Sequence, residues 1–244
     1  AHAQGSAWKG RKVGCLGDIG TFSFQQSKAL TCGEGGAVLT DSEELYSKAY
    51  AYHHIGRAPG SGKYEHTSVG PNYRITEFQG AILRTQLKKL QKQLETRMKN
   101  HRLLSKSVSD IPGLSPLKED KRVTQRGYYF CVLRFDEKKF GISREAFVEA
   151  MKAEGATVGI GYAMPVYHLP AFRNMSFGVK GCPLTCGHYK GHMDYSSVSC
   201  PVGEEVSYKR HITIENQVLL NASNVRLIAK AAHKVYKNRE ELAG

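Results

Sequence analysis

Gly20-Thr-Phe-Ser-Phe-Gln-Gln-Ser-Lys28-Ala-Leu-Thr-Cys-Gly-Glu-Gly-Gly36 is the stretch on which the reading of this 244-residue chain turns. An apolar, strand-like run, Thr21–Phe24, leads to a lysine, and the glycine cluster Cys32-Gly-Glu-Gly-Gly36 follows it. A lysine that forms a Schiff base needs an anchored stem, a partly desolvated amine and room for a planar group beside it. Glycines allow positive φ and a close approach of backbone to ligand. Ser23, Ser27 and Thr31 offer hydroxyls of the kind a phosphate uses. On these features alone, a surface lysine beside an ordinary glycine turn reads equally well.

Around this stretch the chain is predicted to form short strands at Val13–Leu16, Thr21–Phe24 and Ala37–Thr40. Asp41-Ser-Glu-Glu44 has the capping-box pattern that opens a helix, here to about Tyr52. Arg57 to Gly70 reads as a loop. Within it, Gly56-Arg-Ala-Pro-Gly-Ser-Gly62-Lys63 fails as a phosphate-binding P-loop, because five residues separate the glycines and Tyr64 follows the lysine. A second capping box, Thr76-Glu-Phe-Gln79, opens a long helix to about Val108, with Leu83, Leu87, Leu90 and Leu94 on one face.

Ile111-Pro-Gly-Leu-Ser-Pro116 breaks that helix and divides the chain into domains 1–110 and 111–244. The second is predicted to be a compact α+β unit with strands at Tyr128–Phe135 and Thr157–Ile160. A helix capped by Ser143 runs to about Glu154, and Tyr162 to Gly203 is mostly loop. The closing helix, Asn224 to Leu242, sets Val225, Ile228, Ala232 and Val235 on one face.

Composition narrows the class. Hydrophobic content of 41% and charged content of 23% suit a globular protein. The 35 basic residues against 22 acidic ones give +13, but they are spread from Lys9 to Arg239 without an arginine-rich arm. That spread reads as a solvated basic surface, so no nucleic-acid partner is expected. No apolar run reaches the roughly 20 residues a bilayer span needs, and no signal-peptide pattern opens the sequence. Cys15, Cys32 and Cys131 read as reduced thiols, which points to a cytoplasmic setting. Cys182, Cys186, His188, His192 and Cys200 are spaced too loosely for a zinc knuckle, so no metal is expected.

The pattern Gly20-x-Phe-Ser-Phe-x-x-x-Lys28-x-Leu-x-x-Gly-Glu-Gly-Gly36-Ala-Val resembles the signature of the DegT/DnrJ/StrS family. These are pyridoxal-phosphate (PLP) dependent sugar and cyclitol aminotransferases of fold type I. Ala1-His2-Ala3-Gln-Gly5, Gly10-Arg-Lys-Val-Gly14, Gly70-Pro-Asn72-Tyr-Arg74-Ile-Thr-Glu-Phe-Gln79 and Cys200 to Leu220 are similar to further blocks of that family, in the same order. The resemblance implies an α/β fold: the end of the large PLP-binding domain followed by a small C-terminal α+β domain. It implies Lys28 as the Schiff-base lysine and the acid/base that moves a substrate proton. Ser23 would bind the cofactor phosphate, and His2 would lie beside the cofactor ring. Asn72 would reach the phosphate of a neighbouring subunit, hence a homodimer with shared sites. Arg57, Tyr162 and His168 fall in loops that would face the substrate, though each reads equally as an ordinary polar loop residue, and Arg74 is expected to support its loop.

The family's acidic partner of the pyridine nitrogen would fall about three residues before His2, ahead of Ala1. The chain is therefore expected to be the C-terminal part of a longer enzyme, with little activity alone. The resemblance points to transfer from glutamine or glutamate to a keto-cyclitol of the scyllo-inosose type, or to a keto-sugar. An aminohydroxybenzoate-type synthase and a non-catalytic PLP- or sugar-binding regulator are the alternatives.

Overall fold

A computed structural model describes residues 1–175, 187, 189–191 and 193–242. In chain order the strands are β1 (Ala7–Trp8), β2 (Arg11–Lys12), β3 (Gly20–Ser23), β4 (Gly36–Leu39), β5 (Leu114–Pro116), β6 (Val123–Gln125), β7 (Phe130–Phe135) and β8 (His211–Glu215). The helices are α1 (Glu43–His53), α2 (Glu77–Ser107), α3 (Glu137–Phe140), α4 (Arg144–Ala153), α5 (Pro170–Arg173), α6 (Pro201–Lys209) and α7 (Ala222–Lys237). Two compact units share these elements. The first comprises Ala1–Leu103, Lys118–Cys131 and Glu215–Val225; the second comprises Leu104–Leu117, Val132–Ile214 and Arg226–Gly244.

In the first unit, β3 and β4 form an antiparallel hairpin in register from Gly20↔Leu39 to Ser23↔Gly36. A separate small sheet has the order β2-β1-β6. Of the two predicted capping boxes only the second forms. The Asp41–Glu44 box does not: Ser42, not Asp41, caps α1 by accepting from the Leu45 amide. Thr76 and Gln79 cap α2 reciprocally: the Gln79 amide donates to Thr76 Oγ1 at 3.3 Å and the Thr76 amide to Gln79 Oε1 at 2.7 Å.

From the α2 face, Leu90 and Leu94 pack with Leu30 into a buried cluster that Phe24 and Leu83 close over. Leu87 shares the sequence stripe but stays 59% exposed. It lies about 40° round the helix from Leu83, at the margin of the strip that meets the Lys28 segment. The strand predicted at Val13–Leu16 is turn and bend instead. Gly14 takes φ +106° with its backbone against the Phe22 ring, and a side chain at Gly20 would strike the Gly14 carbonyl. The chain is curled there too tightly to pair as a strand.

The second unit is built on the sheet β5-β7-β8, with β5 and β7 antiparallel from Leu114↔Phe135 to Pro116↔Leu133. Phe135, Phe140 and Phe147 pack in tilted and edge-on contacts with centroids 5.0–5.1 Å apart, and Tyr236 of α7 closes edge-on to Phe140 at 5.2 Å. Ser143 caps α4 through the Ala146 amide, as predicted. Ile228, Ala232 and Val235 of α7 are buried in this unit.

The described residues from Tyr162 to Gly203 are mostly loop, as predicted, with α5 and the start of α6 set in it, each opening on a proline, which is pre-shaped for a first helical turn. Two predictions need correcting here. The strand at Thr157–Ile160 is a single bridge, Gly159↔Thr213. The terminal helix ends at Lys237 and gives way to a 3₁₀ turn at Arg239–Leu242. Among the described residues no helix is long and apolar enough to cross a membrane.

Candidate functional site

Lys28 sits on a loop that the backbone folds back on itself between β3 and β4. The Lys28 amide donates to the Gln25 carbonyl at 2.9 Å, the Cys32 amide to Phe24 O at 3.1 Å, and the Phe24 amide to Gly35 O at 2.8 Å. Thr31 Oγ1 adds a bond to Phe24 O at 2.8 Å. Gly33 at φ +94° and Gly35 at φ +143° supply the left-handed turns that close the loop, as the glycine cluster suggested. From α2, Gln79 Nε2 ties the loop's far side through the Glu34 carbonyl at 2.8 Å.

The Lys28 stem is half-buried, and Nζ lies 4.2 Å from the centre of the Tyr129 ring. His2 stacks on the same ring, with centroids 3.8 Å apart and planes at 25°. Burial, and then the charge of Lys28, hold the His2 imidazole below its ordinary pKa, which keeps it neutral near pH 7. Among the described residues no carboxylate pairs with Lys28. The arrangement is therefore an amine held on an aromatic face, not sequestered in a salt bridge, with a neutral imidazole on the same ring. Such an amine can condense with a carbonyl.

Ser23 ends β3. Its hydroxyl oxygen accepts from the Gln25 amide at 3.3 Å and its carbonyl from the buried Gln4 side chain. Gln4, His2, Ser23 and Lys28 thus belong to one neighbourhood that joins the first residues of the chain to the β3–β4 loop. Asn72 lies elsewhere in this unit, exposed, bridged to His54, with its side-chain oxygen accepting from Arg74 Nε at 2.9 Å. Arg74 here braces its loop. Arg57 is half-buried in the turn after α1, and its Nε lacks a hydrogen-bond partner among the described residues.

Tyr162 and His168 belong to the second unit. Tyr162 is 64% exposed, while His168 Nδ1 bonds the Tyr208 hydroxyl at 2.6 Å and its Nε2 stands 4.0 Å from Glu204. Cys182, Cys186, His188 and His192 lie outside the described residues; among the described ones no His, Cys, Asp and Glu cluster could hold a metal. A cavity of about 880 Å³ lies between the β3–β4 hairpin and α1, lined by Phe22, Val38, Tyr46, Tyr52 and Tyr73 among others. Lys28 does not line it.

Several residues of the lysine neighbourhood carry no local signal. Tyr129 Oη bonds Ser27 Oγ at 2.9 Å from 102 positions away. Asn216 Nδ2 donates to the Ser27 carbonyl at 3.1 Å from 189 positions away. Asn216 is itself held by Arg97, through Nε to its carbonyl and NH2 to its Oδ1, each at 3.2 Å. Arg97 is 1% exposed and has no carboxylate partner among the described residues, and burial pulls its guanidinium down to about 10.

Three comparisons bear on the site. The sequence profile of the DegT/DnrJ/EryC1/StrS aminotransferase family matches residues 1–210. A protein of Streptoalloteichus tenebrarius, a putative L-glutamine:3-amino-2,3-dideoxy-scyllo-inosose aminotransferase, is 33% identical over 247 residues, covering 99% of this chain and 59% of the relative. An L-glutamine:2-deoxy-scyllo-inosose aminotransferase of Micromonospora echinospora is 33% identical over 259 residues, covering all of this chain and 59% of the relative. The crystal structure of 3-amino-5-hydroxybenzoic acid synthase superposes with a TM-score of 0.76 at 30% identity, covering 96% of this chain and 59% of that one. The chain thus spans about three-fifths of the length of the proteins it matches.

Proposed function

Since the chain belongs to the DegT/DnrJ/EryC1/StrS aminotransferase family, we propose that it forms the lysine-bearing part of a PLP-dependent aminotransferase. In this reading the enzyme moves an amino group from L-glutamine or L-glutamate to a keto-cyclitol or keto-sugar. The observation that carries the proposal is the Lys28 amine, half-buried on the Tyr129 face, unpaired with any carboxylate among the described residues and flanked by a neutral His2.

These residues fit the cofactor. Lys28 Nζ would bond it covalently, the Ser23 hydroxyl would take its phosphate, and His2 would lie beside its ring. Asn72, exposed and braced by Arg74, would serve the phosphate of a second copy, which makes the working form a homodimer. PLP, when bound, supplies the electron sink through which an amino group passes from one substrate to another. The Lys28 amine, when free, would act as the general base toward the substrate's α-proton and then as the acid that delivers it to the cofactor's carbonyl-derived carbon. The Gln25–Ser27 contact and the carbonyl contacts of the loop would keep that amine in place.

The donor and acceptor follow the named specificity of the two inosose aminotransferases, which supports glutamine and a cyclic ketone. Arg57, Tyr162 and His168 are proposed to face the acceptor. Residues 1–110 would complete the large domain and 111–244 form the small one, in a cytoplasmic enzyme. The likeness to 3-amino-5-hydroxybenzoic acid synthase keeps a second acceptor chemistry in view. A non-catalytic regulator is disfavoured, since it has no use for an unsequestered lysine amine.

The test uses the protein from its complete reading frame, loaded with PLP. Borohydride reduction should fix the cofactor on the peptide carrying Lys28, and added glutamine should bleach the visible band. A 2-deoxy-scyllo-inosose acceptor should then be aminated faster than a nucleotide-linked keto-sugar. Turnover by the Lys28→Ala protein would sink the assignment.

A further inference from the structure

We infer that Tyr129 is a positioning residue for Lys28, holding the amine with its ring and the lysine's turn with its hydroxyl; the inference rests on the reading of Lys28 as the reactive lysine. Two contacts from one side chain converge on neighbouring residues. The ring lies 4.2 Å from Nζ, and the hydroxyl bonds Ser27 Oγ at 2.9 Å. An aromatic face attracts an ammonium group and not a free amine, so it draws Nζ to one resting place.

The backbone is bent to make this possible. Tyr128, a bulky non-glycine residue, takes φ +50°, a conformation that costs energy and persists only where the surroundings enforce it. The turn sends consecutive rings to different partners: Tyr128 lies against His101 at 4.6 Å, and Tyr129 lies against His2 and Lys28. Opposite Tyr129, the same Ser27 is gripped through its carbonyl by Asn216, which the buried Arg97 fixes from two sides. Ser27 is thus clamped by Tyr129 at its side chain and Asn216 at its main chain. Lys28, the next residue, leaves the clamp in a set direction. A side chain that only filled space would need neither the hydroxyl contact nor the strained bend behind it.

Three proteins test this, each made from the complete reading frame and stripped of PLP: the wild type, Tyr129→Phe and Tyr129→Leu. Lys28 is acetylated with a trace of acetic anhydride at pH 8 and quantified by peptide mass, with exposed Lys48 as the internal reference. Loss of the ring in Tyr129→Leu is expected to raise Lys28 labelling roughly 2- to 5-fold relative to Lys48, the size of an exposed cation–π contact. Tyr129→Phe keeps the face and should stay within about twofold. Protection of buried Cys131 from alkylation checks that each variant is folded.

A measurement on the wild type stands apart from folding of the variants. After reductive ¹³C-methylation, the Lys28 methyl resonance should be displaced upfield of the bulk lysines by the Tyr129 ring. Equal labelling of Lys28 in wild type and Tyr129→Leu, or a Lys28 methyl resonance among the bulk lysines, overturns the inference. Failure of PLP to attach to Lys28 would overturn the functional reading instead, and leaves both of these readouts intact.

Discussion

Replacing Gly5 with alanine should drive a methyl group into Leu94, and removing the Leu94 side chain should undo most of that damage. Gly5 has φ +77°, and a Cβ built there lies 2.2 Å from Leu94 Cδ1 and 3.2 Å from Cδ2. Leu94 is 1% exposed and packed with Leu30 and Leu90, so it has no free space to swing into. For Gly5→Ala, the left-handed backbone costs about 1 kcal/mol and the forced overpacking about 1–3 kcal/mol. Leu94→Ala alone should cost roughly 3–4 kcal/mol, as for a large side chain lost from a tight core.

Simple addition puts the double variant roughly 5–8 kcal/mol below wild type. In the double variant the new methyl enters the space Leu94 vacates, so the overpacking cost disappears. The total should then fall to roughly 4–5 kcal/mol, a coupling of about 1–3 kcal/mol. Trp8 is the chain's only tryptophan, lies in the same unit and has the Arg122 guanidinium 4.6 Å from its ring, so its fluorescence follows this unit in urea. Leu87→Ala, on the same sequence stripe but 59% exposed, should cost less than about 1 kcal/mol. Strict additivity of Gly5→Ala and Leu94→Ala, or a Leu87→Ala cost equal to that of Leu94→Ala, would refute the packing described beneath Lys28.

Two further outcomes are expected. Burial depresses the His101 pKa below its unfolded value of 6.5, so the unfolded chain takes the proton first and stability falls as pH drops from about 7 toward 5. In His101→Phe that loss is absent, and the variant's urea midpoint should gain on wild type as pH falls; a pH-independent difference would exclude it. With iodoacetamide at pH 8, exposed Cys15 should react at least about tenfold faster than Cys131, whose thiol burial pushes up to about 12. Comparable rates for the two would show that β7 is not the buried strand described.

The parts of the fold that were legible in the sequence are those whose cause is local. Thr76, Gln79 and Ser143 cap helices through bonds to residues three positions away, and the pattern of side chains alone records that. The lysine loop was legible because its glycines must sit together to close it. The two-residue strands β1 and β2 were not, since so short an edge has no period to read. β8 was missed because His211-Ile-Thr-Ile214 is buried throughout and shows no alternation, as a sheet covered on both faces requires. The short helix α5 and the start of α6 were not read within a segment that is mostly loop, although a proline at a first helical position favours the helix.

The candidate site divides along the same line. Lys28 and Ser23 lie within six positions of each other and could be read together, whereas the groups that aim Lys28 come from three distant segments. Tyr129 follows a strained turn before β7, Asn216 follows β8, and Arg97 projects from the middle of α2. Each of these looks ordinary in its own stretch: a strand aromatic, a loop asparagine, a helix arginine among many basic residues. What makes them specific is that Arg97 is buried with no acid beside it among the described residues, and its Nε and one NH2 donor go to the Asn216 carbonyl and amide oxygen while NH1 stays unpaired. That demand fixes the Asn216 amide, whose remaining donor has the Ser27 carbonyl to bond. A buried cation in the long helix thereby sets the direction of a loop lysine, a connection that only the folded chain contains.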